Sequence, residues 1–316
     1  ILRACYLESA FRVYLERGVP DSEEEKEILH HALLEAQEQS VKEFGRTSTK
    51  IGSRGTQQKV REQIAGLGFS EALATFGLLL NPSSKGELEK ATRESARVAP
   101  LSAMMPKKQV NAFGRVTGRK PAATEDGEAA FEYEVLQSAN FDWAFQTINR
   151  IEPARRQLSE DHNISLSQIR DLIDSNPIVP PGRQSSFARG IQAGFDGEFL
   201  IAAHILTVQF EESVRYLLSR EGVITSGFAR EDITQHERNL NNFLDPEHGD
   251  YREPVVKLFG ENIAFQLNAL LIDKRGANLR NEVAHALLPD AAYFKSPSIY
   301  FWWLIWHLIV YGSPHV

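Results

Sequence analysis

Apolar residues recur along most of this chain at spacings of three and four, the period of a helix buried along one face, while the strict alternation of a half-buried strand is scarce. The pattern predicts helices over residues 2–16, 23–44, 56–80, 128–151, 165–174, 198–220 and 263–272, and an all-α fold. The helix at 23–44 follows Asp21 and Ser22 and opens on Glu23, Glu24 and Glu25, acids that suit the positive end of a helix dipole. Residues 45–55 break the pattern, and Gly66 and Gly68 interrupt the third helix. Residues 299–311, Ile-Tyr-Phe-Trp-Trp-Leu-Ile-Trp-His-Leu-Ile-Val-Tyr, are apolar on every side and hold three of the four tryptophans. The run is shorter than the ~20 apolar residues that span a bilayer, so no membrane span is expected; it predicts a buried helix, at the centre of a bundle or at a subunit interface.

The periodicity fails from 81 to 127, where Pro, Gly, Ser, Lys and Arg accumulate, and a long irregular connection is expected there. A second break, Asn-Pro-Ile-Val-Pro-Pro-Gly at 176–182, predicts a boundary between an N-terminal helical region over 1–180 and a C-terminal helical domain over 181–316.

Composition adds limits. With 316 residues, 42% hydrophobic and 24% charged, the chain is long and apolar enough for a sizeable core, which excludes the disordered and fibrous classes. Its single cysteine, Cys5, excludes an internal disulfide framework and fits a reducing, cytoplasmic setting; no Cys/His spacing points to zinc, and no metal or other cofactor is expected. A net charge of −7 gives no overall field that attracts nucleic acid. Two segments are nevertheless basic and free of acids: Arg46, Lys50, Arg54, Lys59 and Arg61, and then Lys107, Lys108, Arg115, Arg119 and Lys120. They are either solvated loops or stretches that follow an RNA phosphate backbone.

The candidate chemistry lies at Arg280-Asn281-Glu282-Val283-Ala284-His285. On a helix, Asn281 and His285 share one face, while Leu279, Val283, Ala286 and Leu287 cluster on the opposite one, so the imidazole points away from the apolar stripe. Arg280 lies about 140° from His285 in azimuth, which its long side chain could partly close or a second subunit could bridge. Gly276 can end the preceding helix and Asn278 can N-cap this one, placing the trio where free backbone N–H groups favour phosphate. Upstream, His204, Thr207, Glu211 and Arg215 form one polar stripe on the otherwise apolar helix at 198–220. That stripe is either an ordinary solvated face or the wall of a cleft shared with Arg280 and His285, with Glu211 orienting one of them.

The Arg-x-x-x-x-His pattern with a polar residue after the arginine resembles the signature of the HEPN superfamily (higher eukaryotes and prokaryotes nucleotide-binding), helical domains many of which are metal-independent ribonucleases. More narrowly, Arg280-Asn281-x-x-x-His285 resembles the Arg-Asn-x-x-x-His-Gly motif of a domain family of unknown function shared with the endoplasmic reticulum membrane-associated RNA degradation protein. Phe187-Ala188-Arg189-Gly190-Ile191, His204-Ile205-Leu206 and Glu211-x-x-x-Arg215 extend the likeness over roughly residues 185–290; Ala286 departs from it, standing where the family has glycine. The resemblance implies a HEPN-like helical bundle in the C-terminal domain and an endoribonuclease that leaves 2′,3′-cyclic phosphate and 5′-OH ends, acting in RNA turnover or defence. It implies His285 as general acid or base, Arg280 on the phosphoryl oxygens, Asn281 as their aid, and a homodimer formed through that domain. Two other readings stay open: a non-catalytic scaffold that binds RNA or protein, and a toxin-like component under a regulatory protein partner.

Overall fold

The computed structural model describes residues 1–17, 23–45, 51–228, 234–247 and 249–312. Two compact units make up the chain: Ile1–Lys50 with Met104–Ala130, and Ile51–Ala103 with Phe131–Val316.

In the first unit, α1 (Leu2–Arg17) packs on α2 (Glu23–Glu43), whose first turn carries Glu23, Glu24 and Glu25. Part of the segment expected to be irregular is an antiparallel hairpin, β1 (Lys107–Val110) and β2 (Val116–Lys120), with Lys107 opposite Lys120. Its turn requires Gly114, at φ 76°, because a Cβ there would lie 2.2 Å from the Gln37 carbonyl oxygen of α2.

The second unit contains α3 (Arg54–Ile64), α4 (Phe69–Gly77), α5 (Lys85–Val98) and most of α6 (Pro100–Met104) and α7 (Gly127–Gln146). A π-helical turn, Thr147–Ile151, leads into α8 (Glu152–Asp161), α9 (Leu166–Ile173), α10 (Gln184–Phe195) and α11 (Phe199–Arg220). A short antiparallel pair, β3 (Ser226–Phe228) and β4 (Gln235–Glu237), precedes α12 (Leu240–Leu244), α13 (Gly249–Leu271, broken at Gly260), α14 (Leu279–Ala284) and α15 (Ser296–Tyr311). The fold is all-α. Helix α5 also falls in the stretch expected to be irregular: Ser84 and Glu87 form a reciprocal capping box that starts it.

Helix α15 is the centre of this unit. Its residues from Ser298 to Ile309 are buried, and three indole N–H groups donate to backbone carbonyls, Trp302 to Ile191, Trp303 to Phe76 and Trp306 to Leu73, at 2.9–3.1 Å. The His307 Nδ1 does the same to Gly77 at 2.8 Å. Neighbouring helices approach through glycine, since a Cβ on Gly194 of α10 would sit 2.0 Å from the Trp302 Nε1. The helix is therefore core, as an apolar circumference requires.

The same core includes the Pro-rich segment around residue 180. Ile178 and Val179 are buried, and the Asn176 side chain donates to the Ile309 carbonyl at 2.8 Å, so the Pro-rich segment is held against α15. One hydrophobic cluster runs from Val60 to Ile309. Among the described residues no helix is long and apolar enough to cross a membrane.

Candidate functional site

Helices α11 and α14 pack together and wall a cleft of 390 Å³. Sharp local geometry presents α14 to it. Gly276 passes so close to α13 that a Cβ would lie 2.0 Å from the Ala269 carbonyl oxygen, and the Ala277 N–H donates to that oxygen at 3.0 Å. Asn278 then takes the left-handed conformation, φ 50°, which asparagine tolerates better than most residues. It occupies the N-cap but its side chain does not cap; its Oδ1 instead accepts from the Asn281 Nδ2 at 2.7 Å. The helix is only six residues long and His285 is its C-cap, so the trio spans the whole helix rather than the start of a longer one. Beyond it, the Ala286 N–H donates to Val283 O and the Leu287 N–H to Glu282 O, the paired bonds of a Schellman ending, and Ala286 sits at φ 52°. That is a position glycine favours, which gives a physical reason for a glycine after the histidine.

The stripe on α11 meets α14 through one carboxylate. The Glu211 Oε2 accepts from the Arg280 Nε and Nη2 at 3.1 and 2.9 Å, and its Oε1 accepts from the Arg215 Nη2 at 3.3 Å. Arg215 is held further by Glu212, by Glu237 and by the Arg238 carbonyl. These three side chains are 16–20% exposed, so the contacts are partly shielded from water. Arg280 also donates from Nη1 to the Asn281 Oδ1 at 3.0 Å. A guanidinium carries five N–H groups, so after these contacts each Nη keeps an N–H for a ligand in the cleft.

His204 lines the same cleft. Its Nδ1 meets the Leu200 carbonyl at 2.8 Å and its Nε2 lies 3.4 Å from the Tyr293 hydroxyl, an arrangement that fits the Nδ1–H tautomer with tyrosine donating. Burial, assisted by Asp290, pushes the Tyr293 hydroxyl above its ordinary range.

No protein-family model, curated protein or solved structure matches this chain. What the cleft can do follows from its own donors and acceptors. It gathers Arg280, Glu211, Arg215 and His204, with Asn281 bound to Arg280 from outside the lining. His285 is exposed, lies outside the lining, and makes no side-chain hydrogen bond to the described residues. Its charge reaches Glu282: burial raises that carboxyl above its usual range, against the opposing pull of a hydrogen bond with Asn278 and of His285. Arg280 and His285 are thus not brought to one cleft within a single chain, and Asn281 holds Arg280 and Asn278 rather than the imidazole.

One residue of the lining and one that braces it lack a sequence signal. Arg183, at the N-cap of α10, adds a cation to the lining, and Tyr293 fixes His204 from 89 positions away. Several cations of the basic segments have partners within the chain. In the hairpin, Glu8 binds both Lys108, at 2.7 Å, and Arg119, while Lys120 is buried and Arg115 lies 5.9 Å from the Phe113 ring. Arg54 is exposed at the first residue of α3, and Arg46 and Lys50 lie outside the described residues.

Proposed function

We propose that this protein is a metal-independent endoribonuclease of HEPN type, whose site is completed when Arg280 of one copy meets His285 of a second. The observation that carries this reading is the division of labour around α14: a guanidinium anchored by Glu211 with N–H groups left in a cleft, and an exposed imidazole beyond that cleft's edge. On the exposed side of α11, Ile201 and Val208 remain 46% and 64% exposed, apolar area that a second copy can cover. In the reaction a ribose 2′-oxygen attacks the adjacent phosphorus as its proton leaves, the bond to the 5′-oxygen breaks, and that oxygen takes up a proton. The products are a 2′,3′-cyclic phosphate and a 5′-hydroxyl. His285 moves one of those protons, a contribution of about 10²- to 10⁴-fold. Arg280 holds the non-bridging oxygens as their charge grows.

Mixed oligomers test the proposal. Subunits carrying Arg280→Ala mixed with subunits carrying His285→Ala should recover part of an RNA cleavage that neither shows alone, and cleavage should survive excess chelator. Activity from a strict monomer would sink the shared site.

A second reading rests on a different observation. Glu211 already neutralises Arg280, and Asn281 is committed to Arg280 and Asn278, which is how a structural brace between α11 and α14 would look. The protein would then be a non-catalytic RNA- or protein-binding scaffold. Absence of cleavage by the wild-type protein across varied single-stranded RNAs, with RNA or protein binding retained, would favour it.

A further inference from the structure

A second cleft, of 460 Å³, lies in the same unit, away from Arg280; Thr147, Arg61, Arg156, Phe294, Lys295 and Ser296 are among its walls. Its base is the π-helical turn, in which the Glu152 N–H reaches back five residues to the Thr147 carbonyl. Turns of this kind are uncommon and recur at functional sites. The turn leaves Thr147 in an unusual state. Elsewhere in this protein a buried helical threonine returns its hydroxyl to the carbonyl four residues back, Thr92 to Leu88 and Thr207 to Ala203, each at 2.8 Å. Thr147 is only 2% exposed, yet its hydroxyl has no hydrogen-bond partner among the described residues. A buried hydroxyl kept without a partner calls for one.

Across the cleft is the start of α15, sixteen residues long, where Lys295 is the N-cap and makes no side-chain cap. Pro297 takes the second helical position and has no N–H, so what this end offers an anion at Lys295 and Ser296 is the Ser296 N–H and the positive end of the helix. The Ser298 hydroxyl, in the first turn, is likewise buried without a partner among the described residues. Charge favours an anion. Glu152 is a carboxylate of the lining, and it is already bound by Arg155 at 2.6 Å and by Arg156 at 3.3 Å. Lys295 is exposed and forms no ion pair among the described residues, and Arg61 turns to Glu160 and Gln157. The half-exposed Phe294 ring completes an apolar side with Ile148.

We infer that this cleft binds a phosphoryl group, held by the start of α15, Lys295, Arg156 and the Thr147 hydroxyl. The group comes either as free phosphate or on a ligand whose ring packs on Phe294. The inference is independent of the ribonuclease reading, because no residue of the Arg280 cleft takes part.

Calorimetric titration of the full chain with inorganic phosphate, adenosine monophosphate and adenosine at low ionic strength tests it. Phosphate or the monophosphate should bind while adenosine does not, and a gain of about tenfold for the monophosphate over phosphate identifies the ring-bearing source. Lys295→Ala and Thr147→Val should each weaken the bound probe by roughly fivefold to tenfold. Thr147→Val is close in shape and removes an unpartnered hydroxyl, so its unfolding midpoint should hold or rise, which separates lost binding from lost folding. No binding of either phosphate-bearing probe, or binding that both variants leave unchanged, would overturn the site.

Discussion

Replacing Ala286 with glycine should stabilise the protein, although removing a side chain ordinarily does the reverse. The residue lies at φ 52° just past the end of α14, exposed, with its N–H and that of Leu287 closing the helix. A left-handed conformation costs an L-residue about 1–2 kcal/mol, and the extra backbone freedom of glycine in the unfolded chain costs about 0.5–1 kcal/mol. The difference leaves roughly 0.5–1 kcal/mol in favour of the variant, since no packing is lost at an exposed methyl. For a chain of this size that is about 1–4 °C in the unfolding midpoint. Ala284→Gly is the control: it deletes the same methyl two residues earlier, also exposed, but inside the helix, where glycine costs about 1 kcal/mol. Urea denaturation followed by far-ultraviolet circular dichroism should therefore move the two midpoints in opposite directions. A fall in both, by similar amounts, would refute the left-handed helix ending and the account of why a glycine belongs after His285.

Glu211→Gln keeps the shape of the side chain but removes the charge shared by Arg280 and Arg215; with all three groups mostly shielded, a loss of about 1–3 kcal/mol in denaturant stability is expected, and an unchanged midpoint would show that the carboxylate is not the anchor between α11 and α14. Burial lowers the affinity of the His307 ring for its proton, against a backbone hydrogen bond to Gly77 that opposes the shift. On acidification the unfolded chain takes up that proton before the folded one does, so this contribution to stability is complete above the ordinary imidazole range and is lost as pH falls through it. His307→Gln should flatten that part of the stability–pH curve; an undiminished slope would assign it to other groups.

How much of this was legible in the sequence depended on whether a signal was carried by periodicity or by distant partners. Helices α11 and α15 follow directly from their apolar circumference. Helix α5 does not, because its exposed face is rich in Lys, Arg and Glu; only the pair Ser84 and Glu87, three apart, marks its start. The hairpin β1–β2 carries cations on both faces and no apolar alternation, and it is held by Glu8 and by the close approach at Gly114, neither of which is a local pattern. The prolines at 176–182 read as a boundary, and composition cannot show that Asn176 is fastened to Ile309. In the site, helical geometry placed His285 away from the apolar stripe, and the polar stripe of α11 does line the cleft with Arg280. It could not show that Glu211, 69 positions away, takes the guanidinium, or that α14 ends at His285, because the left-handed residue that ends it is an alanine.

The aromatic composition of α15 gives the two units unequal visibility to light. All four tryptophans belong to the second unit, Trp143 and the three of α15, and all are buried; the first unit has none and carries Tyr6 and Tyr14 instead. Intrinsic indole emission therefore reports one unit and is blind to the other. A melting curve recorded that way is a property of the second unit, and unfolding confined to α1, α2 and the hairpin leaves no indole directly exposed, so circular dichroism, which sees every helix, has to be recorded beside it.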